Sequence, residues 1–321
     1  MKITEFKDKD SISQGFLLKK FEIKKAKNNK PYLDAVLADN SGEISAKLWN
    51  VDDGLEESFK DRIFAKVSGT VEVYNDKLQF RIEKIAPLHP SDAELEQLIE
   101  CAPFPSVKMY DKIVNVLSQI EDDDIRKITL YLFEANREKL LYYPAAKSYH
   151  HAIRGGLLYH TYTMLRCAAQ LLEIYTFLNK DLVFAGVALH DIGKIKEMIS
   201  SEYGAATDYS VEGNLLGHII TTICDIELAA DKLGINNEKV TLLKHIILSH
   251  HQLPEYGSPK MPMFGEAELV HYLDVLDARM NQFEKNMNMQ SAGTFNRVYN
   301  LDNRIVYNHP LSKKDKNTSE E

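Results

Sequence analysis

The feature that most restricts the fold is a histidine–aspartate pair, His190-Asp191, at the end of an apolar stretch. The preceding residues 182–189 are apolar and predict a helix that runs into a protein interior. A buried imidazole beside a buried carboxylate is costly unless a partner satisfies both groups. A divalent metal accepts a neutral nitrogen and an anionic oxygen as ligands. The pair therefore predicts a metal site inside a helical domain.

Further residues of metal-ligating type recur along the second part of the chain. The candidate ligands are His160, His190, Asp191, His218, His250, His251 and Asp274. Apolar residues around them recur at three- and four-residue steps, so they lie on four or five predicted helices, as a metal site in a bundle core requires. Imidazole and carboxylate ligands without clustered thiols favour manganese, iron, magnesium or zinc in a hydrolytic role.

The number of candidates is large enough for two ions. The first ion would take His160, His190, Asp191 and Asp274. Asp191 would bridge to a second ion, held by His218, His250 and His251. Such a pair can carry a hydroxide nucleophile and neutralise the charge of a phosphodiester. The sequence leaves open whether one or two ions bind, and Asp277, on roughly the same helical face as Asp274, is a rival for its position.

The first ninety residues alternate in the manner of strands. Five strand candidates, with one helical interruption near residues 55–60, predict a small closed barrel of the OB type. We expect a multi-domain protein, with an N-terminal all-β OB-type barrel followed by an all-α helical bundle. The predicted boundaries are a barrel over 1–88, a connector over 89–106, a bundle over 107–290 and a C-terminal extension over 291–321 that ends in a disordered tail.

Barrels of this type often bind single-stranded nucleic acid through aromatic rings beside basic groups. The predicted strand-binding residues are Lys19, Lys20, Phe21, Lys24, Lys25, Lys27, Tyr32 and Trp49. The alternative is a solvated hairpin whose lysines keep it soluble and whose aromatic rings fill the barrel core. The net charge of −8 argues against a polyanion-binding role for the whole surface.

The composition predicts a soluble, cytoplasmic protein with no membrane partner. No apolar stretch is long enough to cross a membrane, and the start of the chain lacks the apolar region of a signal peptide. Three cysteines without CxxC spacing fit a reducing compartment, and we expect Cys167 and Cys224 to be buried thiols. A homo-oligomer is left open.

The order and context of His160, His190-Asp191 and Asp274 resemble those of the HD-domain metal-dependent phosphohydrolases. His218 and His250-His251 match the additional histidines of binuclear members. The resemblance is closest around residues 143–157, 249–259 and 266–274. With an OB-type domain in front, residues 1–300 are similar to the YhaM-type 3′–5′ exoribonucleases of bacteria.

The resemblance implies removal of nucleotides from the 3′ end of single-stranded RNA, with single-stranded DNA as a further substrate and manganese as the preferred metal. It assigns the ligand position to Asp274, because that residue aligns with the family aspartate. Asp191 and Lys194 would be catalytic, with Lys194 near the phosphate, where its charge stabilises the transition state. The alternative for Lys194 is a solvated lysine at a helix end.

Four residues just before the first ligand are predicted to line the mouth of the substrate site: Lys147, His150, His151 and Arg154. Surface placement without a role is their alternative. The rival enzyme is an HD phosphohydrolase of small nucleotides or cyclic dinucleotides, with the barrel as an accessory. The basic first hairpin favours a polymer, because a small nucleotide needs no extended cationic track. The third hypothesis is a non-catalytic single-strand-binding protein. The presence of every candidate metal ligand argues against it.

Overall fold

The computed structural model describes residues 1–311 apart from residues 27, 50, 53, 61–62, 147–152, 202 and 205. The chain forms two compact units, the first Met1–Cys101 and the second beginning at Ala102. None of the helices in the described part of the chain combines the length and the apolar character that a membrane span needs. The predicted disordered tail, residues 312–321, lies outside the described residues.

The first unit contains a closed five-stranded barrel, which confirms the prediction of an OB-type fold. Its strands are β1 (Ser11–Lys25), β2 (Pro31–Ala38), β3 (Glu43–Trp49), β4 (Phe64–Tyr74) and β5 (Lys77–Pro87). They close in the order β1-β2-β3-β5-β4, and only the β3–β5 pair is parallel. Alternate residues point inward, so Phe16, Leu33 and Phe80 are fully buried. The short helix α1 (Leu55–Ser58) supplies the predicted helical interruption.

The β4–β5 hairpin shows how local residues set the register of the barrel. Tyr74 pairs with Lys77, which leaves Asn75 and Asp76 as a two-residue loop. Both loop residues have positive φ, 49° and 59°. This is the type I′ geometry, which matches the twist of the flanking strands and favours asparagine and aspartate.

Helix α2 (Asp92–Leu98) belongs to the first unit, although the sequence predicts a connector here. The backbone amide of Asn40 donates to the carbonyl of Gln97 at 3.0 Å. Leu95 and Leu98 are buried. The helix is therefore docked on the barrel.

The second unit is a helical bundle, as predicted. Its helices are α3 (Ser106–Ser118), α4 (Asp123–Ala135), α5 (Arg137–Leu140), α6 (Gly156–Ile174), α7 (Lys180–Leu189), α8 (Lys194–Glu197), α9 (Val211–Leu233), α10 (Glu238–Ser249) and α11 (Gly265–Met289). Helix α7 packs against α4, α6, α10 and α11. A Cβ atom on Gly186 would lie 2.7 Å from Ile246 Cγ2, so only glycine allows α7 to approach α10 this closely. Helix α7 therefore brings His190 and Asp191 into the core.

Two short hairpins add to the predicted all-α bundle. They are formed by β6 (Met198–Ser200) with β7 (Ala206–Tyr209), and by β8 (Thr294–Val298) with β9 (Arg304–Asn308). The Asn308 side-chain amide donates to the carbonyls of Met287 and Gln290 at 3.0 Å each, which holds the second hairpin on the end of α11. The described part of the C-terminal extension is therefore structured.

The prediction that Cys167 and Cys224 are buried was wrong, because both are exposed. Each lies on an amphipathic helix, α6 or α9, whose buried face is formed by other residues. Ala168, next to Cys167, is fully buried. Adjacent residues of a helix point about 100° apart, so an apolar context does not bury every position.

Candidate metal centre

The candidate metal centre is built around Asp191, just beyond the C-terminus of α7. His190 and Asp191 are buried, with 0% and 1% of their surface exposed. The Nδ1–H of His190 donates to the Val187 carbonyl at 2.9 Å. This contact fixes the ring with Nε2 on the side that faces Asp191, where it can bind a metal when the imidazole is neutral.

The other sequence-predicted ligands reach the same place from four further elements. His160 lies in α6, His218 in α9 and Asp274 in α11, whereas His250 and His251 directly follow α10. His160 and His250 are fully buried, and His218 is nearly so.

The two carboxylate oxygens of Asp191 face different histidines. Oδ2 is 3.3 Å from His190 Nε2 and 3.8 Å from His160 Nε2. Oδ1 is 3.4 Å from His218 Nε2 and 3.9 Å from His250 Nε2. Asp191 therefore joins two groups of ligand atoms, as a bridging carboxylate does.

Asp274 and Asp277 lie on opposite sides of the His160 ring. Asp274 Oδ1 is 3.3 Å from Nε2, the nitrogen that faces Asp191. Asp277 Oδ2 is 2.6 Å from Nδ1, and the Thr163 hydroxyl donates to Asp277 Oδ1 at 2.5 Å. Asp277 thus holds the imidazole from behind, and the geometry favours Asp274 for the ligand position that the residues alone left open.

The candidate ligands fall into two sets. Within the described residues, one ligand atom each of His160, His190 and Asp191 lie within 4.8 Å of one another, and the same holds for Asp191, His218, His250 and His251. We refer to His160, His190, Asp191 and Asp274 as subsite A. We refer to Asp191, His218, His250 and His251 as subsite B.

The histidines of subsite B are held through Nδ1, as His190 is. His218 Nδ1–H donates to Glu197 Oε2 at 3.0 Å. His250 and His251 donate to main-chain carbonyls at 2.7 and 2.8 Å. Each Nδ1 contact fixes the plane of the ring, so that the opposite atom, Nε2, is placed to bind a metal when the imidazole is neutral.

Helix α9 is broken immediately before His218. Gly217 has φ 69° and ψ 166°, a region of backbone space that is essentially restricted to glycine. The helix is thus interrupted directly before His218, whose ring contacts both Glu197 and Asp191. A glycine inside a helical sequence pattern was the only signal for it.

Three buried atoms of the centre lack a hydrogen-bond partner among the described residues: Asp191 Oδ1, His218 Nε2 and His250 Nε2. A buried polar atom without a partner costs about 1–3 kcal/mol. All three atoms are of metal-ligating type and all belong to subsite B. A divalent cation would satisfy them together, so the residues present fit such an ion.

Lys194 adds a buried positive charge to the centre. Its Nζ is 2.7 Å from Asp191 Oδ2, and its side chain is only 12% exposed, which excludes a solvated lysine. Burial alone would lower the pKa of Lys194, but the Asp191 carboxylate raises it. Burial alone would raise the pKa of Asp191, but Lys194 and His190 hold it well below its usual range. Both groups therefore stay charged.

His160 and His250, both fully buried, differ in their electrostatics. Burial favours the neutral form of His160, but the carboxylates of Asp274 and Asp277 outweigh it and raise its pKa to about 10. Burial and the neighbouring imidazoles hold the pKa of His250 well below its usual value. Subsite A thus has the more negative surroundings.

On the barrel, the structure pairs several of the predicted strand-binding lysines with acids. Lys20 Nζ and Lys24 Nζ lie 2.9 and 2.6 Å from Asp34 Oδ2, and both also contact Glu22. Two ammonium groups thus face two carboxylates, and the charge of this corner cancels.

The remaining predicted lysines lie in three situations. Lys19 pairs with Glu43 at 2.9 Å. Lys25 is exposed and forms no ion pair within the described part of the chain. Lys27 lies outside the described residues. Three of the lysines predicted to bind the strand are therefore paired with acids, and the first hairpin carries less unpaired positive charge than the sequence predicted.

The predicted aromatic residues divide between core and surface. Phe21 stacks on Phe59 with ring centroids 5.0 Å apart and packs against the barrel core. This agrees with the alternative hypothesis that the aromatic rings fill the core. Tyr32 and Trp49 stack on each other at 5.0 Å, and Trp49 is 49% exposed.

Lys47 lies among three rings on the barrel surface. Its Nζ is 5.6 Å from the ring centroid of Tyr32, 5.7 Å from that of Trp49 and 5.8 Å from that of Tyr74. We call these four residues the Lys47 cluster. It joins the exposed rings of Trp49 and Tyr74, the half-buried ring of Tyr32 and a cation, a combination with which proteins bind single-stranded nucleic acid.

Of the residues predicted to line the substrate mouth, the structure describes Arg154. Its guanidinium lies over the Tyr142 ring, 5.9 Å from the centroid. Lys147, His150 and His151 lie outside the described residues.

The sequence analysis did not single out Glu197, Lys47 and Tyr74, which the structure places beside predicted site residues. Glu197 lies in a four-residue helix, too short for a periodic pattern to show. Lys47 is two residues before Trp49 on β3, so the alternation of the strand was an unused signal. Tyr74 is the last residue of β4, and only the barrel register brings it near them.

Comparison with known proteins places these residues in a family context. The HD domain family matches residues 157–279, which include every residue of both subsites. The chain is 37% identical over 306 residues to the 3′-5′ exoribonuclease YhaM of Bacillus subtilis (strain 168), covering 95% of this chain and 96% of that protein. It is 39% identical to the protein of the same name from Bacillus licheniformis and 40% identical to that of Geobacillus sp. (strain WCH70), each over 284 residues. Those two matches cover 88% of this chain and 90% and 87% of the relatives.

Proposed function

This chain belongs to the YhaM family of 3′–5′ exoribonucleases and is a metal-dependent 3′–5′ exonuclease of RNA, and we propose that hydrolysis takes place at the centre built on Asp191. One observation carries the proposal. The buried Asp191 Oδ1 has no hydrogen-bond partner among the described residues and lies between two imidazole Nε2 atoms that have none either.

The two subsites would hold one divalent cation each, with Asp191 as the shared ligand. Manganese is the proposed metal, with iron, magnesium or zinc as alternatives, because the donors are imidazole nitrogens and carboxylate oxygens without thiolates. When bound, divalent cations at such a centre activate water and neutralise the charge of a phosphodiester. Asp191 supports this arrangement by remaining anionic at all ordinary pH values.

Lys194 would act on the substrate through its charge. Its ammonium is held beside Asp191 in a buried position, where little water screens it. A fixed cation there stabilises the negative charge that grows on the phosphate oxygens during hydrolysis. Asp191 and Lys194 are therefore the proposed catalytic residues.

The barrel would bind the strand through the Lys47 cluster. Trp49, stacked on the half-buried Tyr32, offers exposed ring surface for bases, and Lys47 offers a cation for a phosphate. Neither contact depends on the 2′-hydroxyl, so single-stranded DNA is a proposed second ligand. Lys25 and Lys27 remain proposed members of this surface. We place the enzyme in the cytoplasm, because the exposed thiols of Cys167 and Cys224 suit a reducing compartment.

The test is a time course on single-stranded RNA labelled at its 5′ end, with products resolved by length. Wild-type protein with manganese should give a ladder that shortens from the 3′ end, and a chelator should stop it. Asp191→Asn should lower the rate by about 10³-fold or more, because it removes the charge shared by both subsites. A ladder of wild-type intensity from Asp191→Asn would refute the assignment of the centre.

A further inference from the structure

Two histidines of the metal centre are held by carboxylates, and the others are held by main-chain carbonyls. His160 Nδ1 is 2.6 Å from Asp277 Oδ2, and His218 Nδ1 is 3.0 Å from Glu197 Oε2. By contrast, the Nδ1 atoms of His190, His250 and His251 meet carbonyl oxygens. The two carboxylate-held histidines are divided between the subsites, one in A and one in B.

A carboxylate behind an imidazole does more than a carbonyl can. Either partner fixes the tautomer and the ring plane, but only the negative charge of a carboxylate makes the opposite nitrogen a markedly stronger donor to a metal. Each subsite therefore contains one histidine whose donor strength depends on an acid outside the ligand set.

The two acids are held in place by separate parts of the fold. Asp277 accepts a hydrogen bond from the Thr163 hydroxyl at 2.5 Å, so α6 and α11 fix it together. The backbone of Glu197 accepts from the amide of Ser210 at 2.9 Å. A Cβ atom on Gly213 would lie only 2.1 Å from the Glu197 carbonyl oxygen, so the start of α9 is closely packed on this residue.

Both acids are also shielded from solvent. The side chains of Asp277 and Glu197 are 14% and 16% exposed. Their charges therefore act on the imidazoles with little screening by water.

We infer that Asp277 and Glu197 are positioning residues, and that each sets the metal affinity of one subsite, Asp277 that of subsite A and Glu197 that of subsite B. The inference rests on the metal centre assigned in the proposed function. It adds that each affinity is tuned by an acid of its own, which does not touch the ion.

The test is a manganese titration of the full-length protein, in which the electron paramagnetic resonance signal of free Mn²⁺ reports binding. Wild type should bind in two steps. Asp277→Asn and Glu197→Gln should each weaken one step by about 10- to 100-fold, and the double variant should weaken both. Glu227→Gln is the matched control, because it neutralises an acid on α9 that pairs with Lys244 and is not part of the centre. It should bind as wild type does.

A second variant separates positioning from loss of structure. Thr163→Val removes the hydroxyl that supports Asp277 without changing any charge, and it should weaken the same step as Asp277→Asn, by a smaller factor. Circular dichroism would check the fold of each variant.

Each outcome decides a different claim. If the double variant keeps one step at wild-type affinity, both acids serve one subsite and the inference is wrong. If both single variants bind as wild type does, the inference fails while the metal centre stands. If wild-type protein binds no manganese and no other divalent metal, both the inference and the proposed function are wrong.

Discussion

Asp191 and Lys194 show what single residues contribute to this centre. Each is a buried charge that would be costly alone, and each compensates the other at 2.7 Å. The sequence predicts the ligand set because histidines and aspartates inside apolar helical patterns need an explanation, and the structure brings these residues together. The residues alone could not decide whether Asp274 or Asp277 takes the ligand position, since both lie on one helical face. The structure separates them, because Asp274 contacts His160 Nε2 and Asp277 contacts Nδ1.

Replacing Lys194 with methionine tests its assigned charge. Lys194→Met should lower kcat by about 10²–10³-fold, because the transition state loses one fixed positive charge. The manganese content should stay at the wild-type value, since no ligand is removed. Lys196→Met is the matched control, because Lys196 is exposed and pairs with Asp225 away from the centre. A wild-type rate for Lys194→Met would show that its ammonium does not act on the phosphate.

At the scale of secondary structure, local signals predicted most elements. The strands of the barrel follow from the alternation of apolar and polar residues. The turn at Asn75-Asp76 follows from two residue types that tolerate positive φ. The β8–β9 hairpin was missed because its five-residue strands lie in a polar segment rich in asparagine. The break of α9 at Gly217 was missed because the residues on both sides continue a helical pattern.

The break in α9 should be needed for subsite B. Gly217→Ala should destabilise the fold by about 1–3 kcal/mol, because alanine is strained at this φ and ψ. It should also weaken one manganese-binding step, since relief of the strain moves His218. Gly234→Ala is the control, with φ 70° at the end of the same helix and open space around it. It should cost about 1 kcal/mol and leave metal binding intact. Equal effects of the two variants on metal affinity would contradict this.

The Lys47 cluster gives the barrel a measurable role. Trp49 is the single tryptophan of the chain, so its fluorescence reports on this surface alone. In the presence of a chelator, single-stranded RNA should quench it. Trp49→Ala, measured by the fluorescence anisotropy of labelled RNA because it lacks the tryptophan signal, should weaken RNA binding by about 1–3 kcal/mol, the energy of one stacked base, and leave dinucleotide cleavage unchanged. Val73→Ala, another exposed apolar truncation on the barrel, should bind as wild type does. An equal loss on RNA and dinucleotide would place Trp49 outside the strand path.

For the whole molecule, composition alone was a poor guide to the substrate. The net charge is −8, and residues 1–90 are nearly neutral, with 16 Lys and Arg against 15 Asp and Glu. Strand binding therefore has to rest on a local arrangement of rings and cations, which depends on strand register. The chemistry was easier to predict, because the ligands lie in one unit and their residue types are unusual in apolar helices.

Metal removal should destabilise the second unit. At a metal concentration of 100 times Kd, binding contributes about 2.7 kcal/mol per site, and a chelator removes that contribution. We expect the melting temperature seen by far-ultraviolet circular dichroism, which is dominated by the helices, to fall on chelation and to recover when manganese is added back. An unchanged melting temperature would argue against a metal inside the bundle.

The central claim is that Asp191 is shared by two metal subsites. The most direct measurement is the number of manganese ions bound per chain, determined by elemental analysis after dialysis at a fixed free-metal concentration, for wild type and for Asp191→Asn. We expect two ions for wild type and loss of both from Asp191→Asn at the same free metal. Retention of both ions by Asp191→Asn, or a fully active wild type with a single ion, would contradict it.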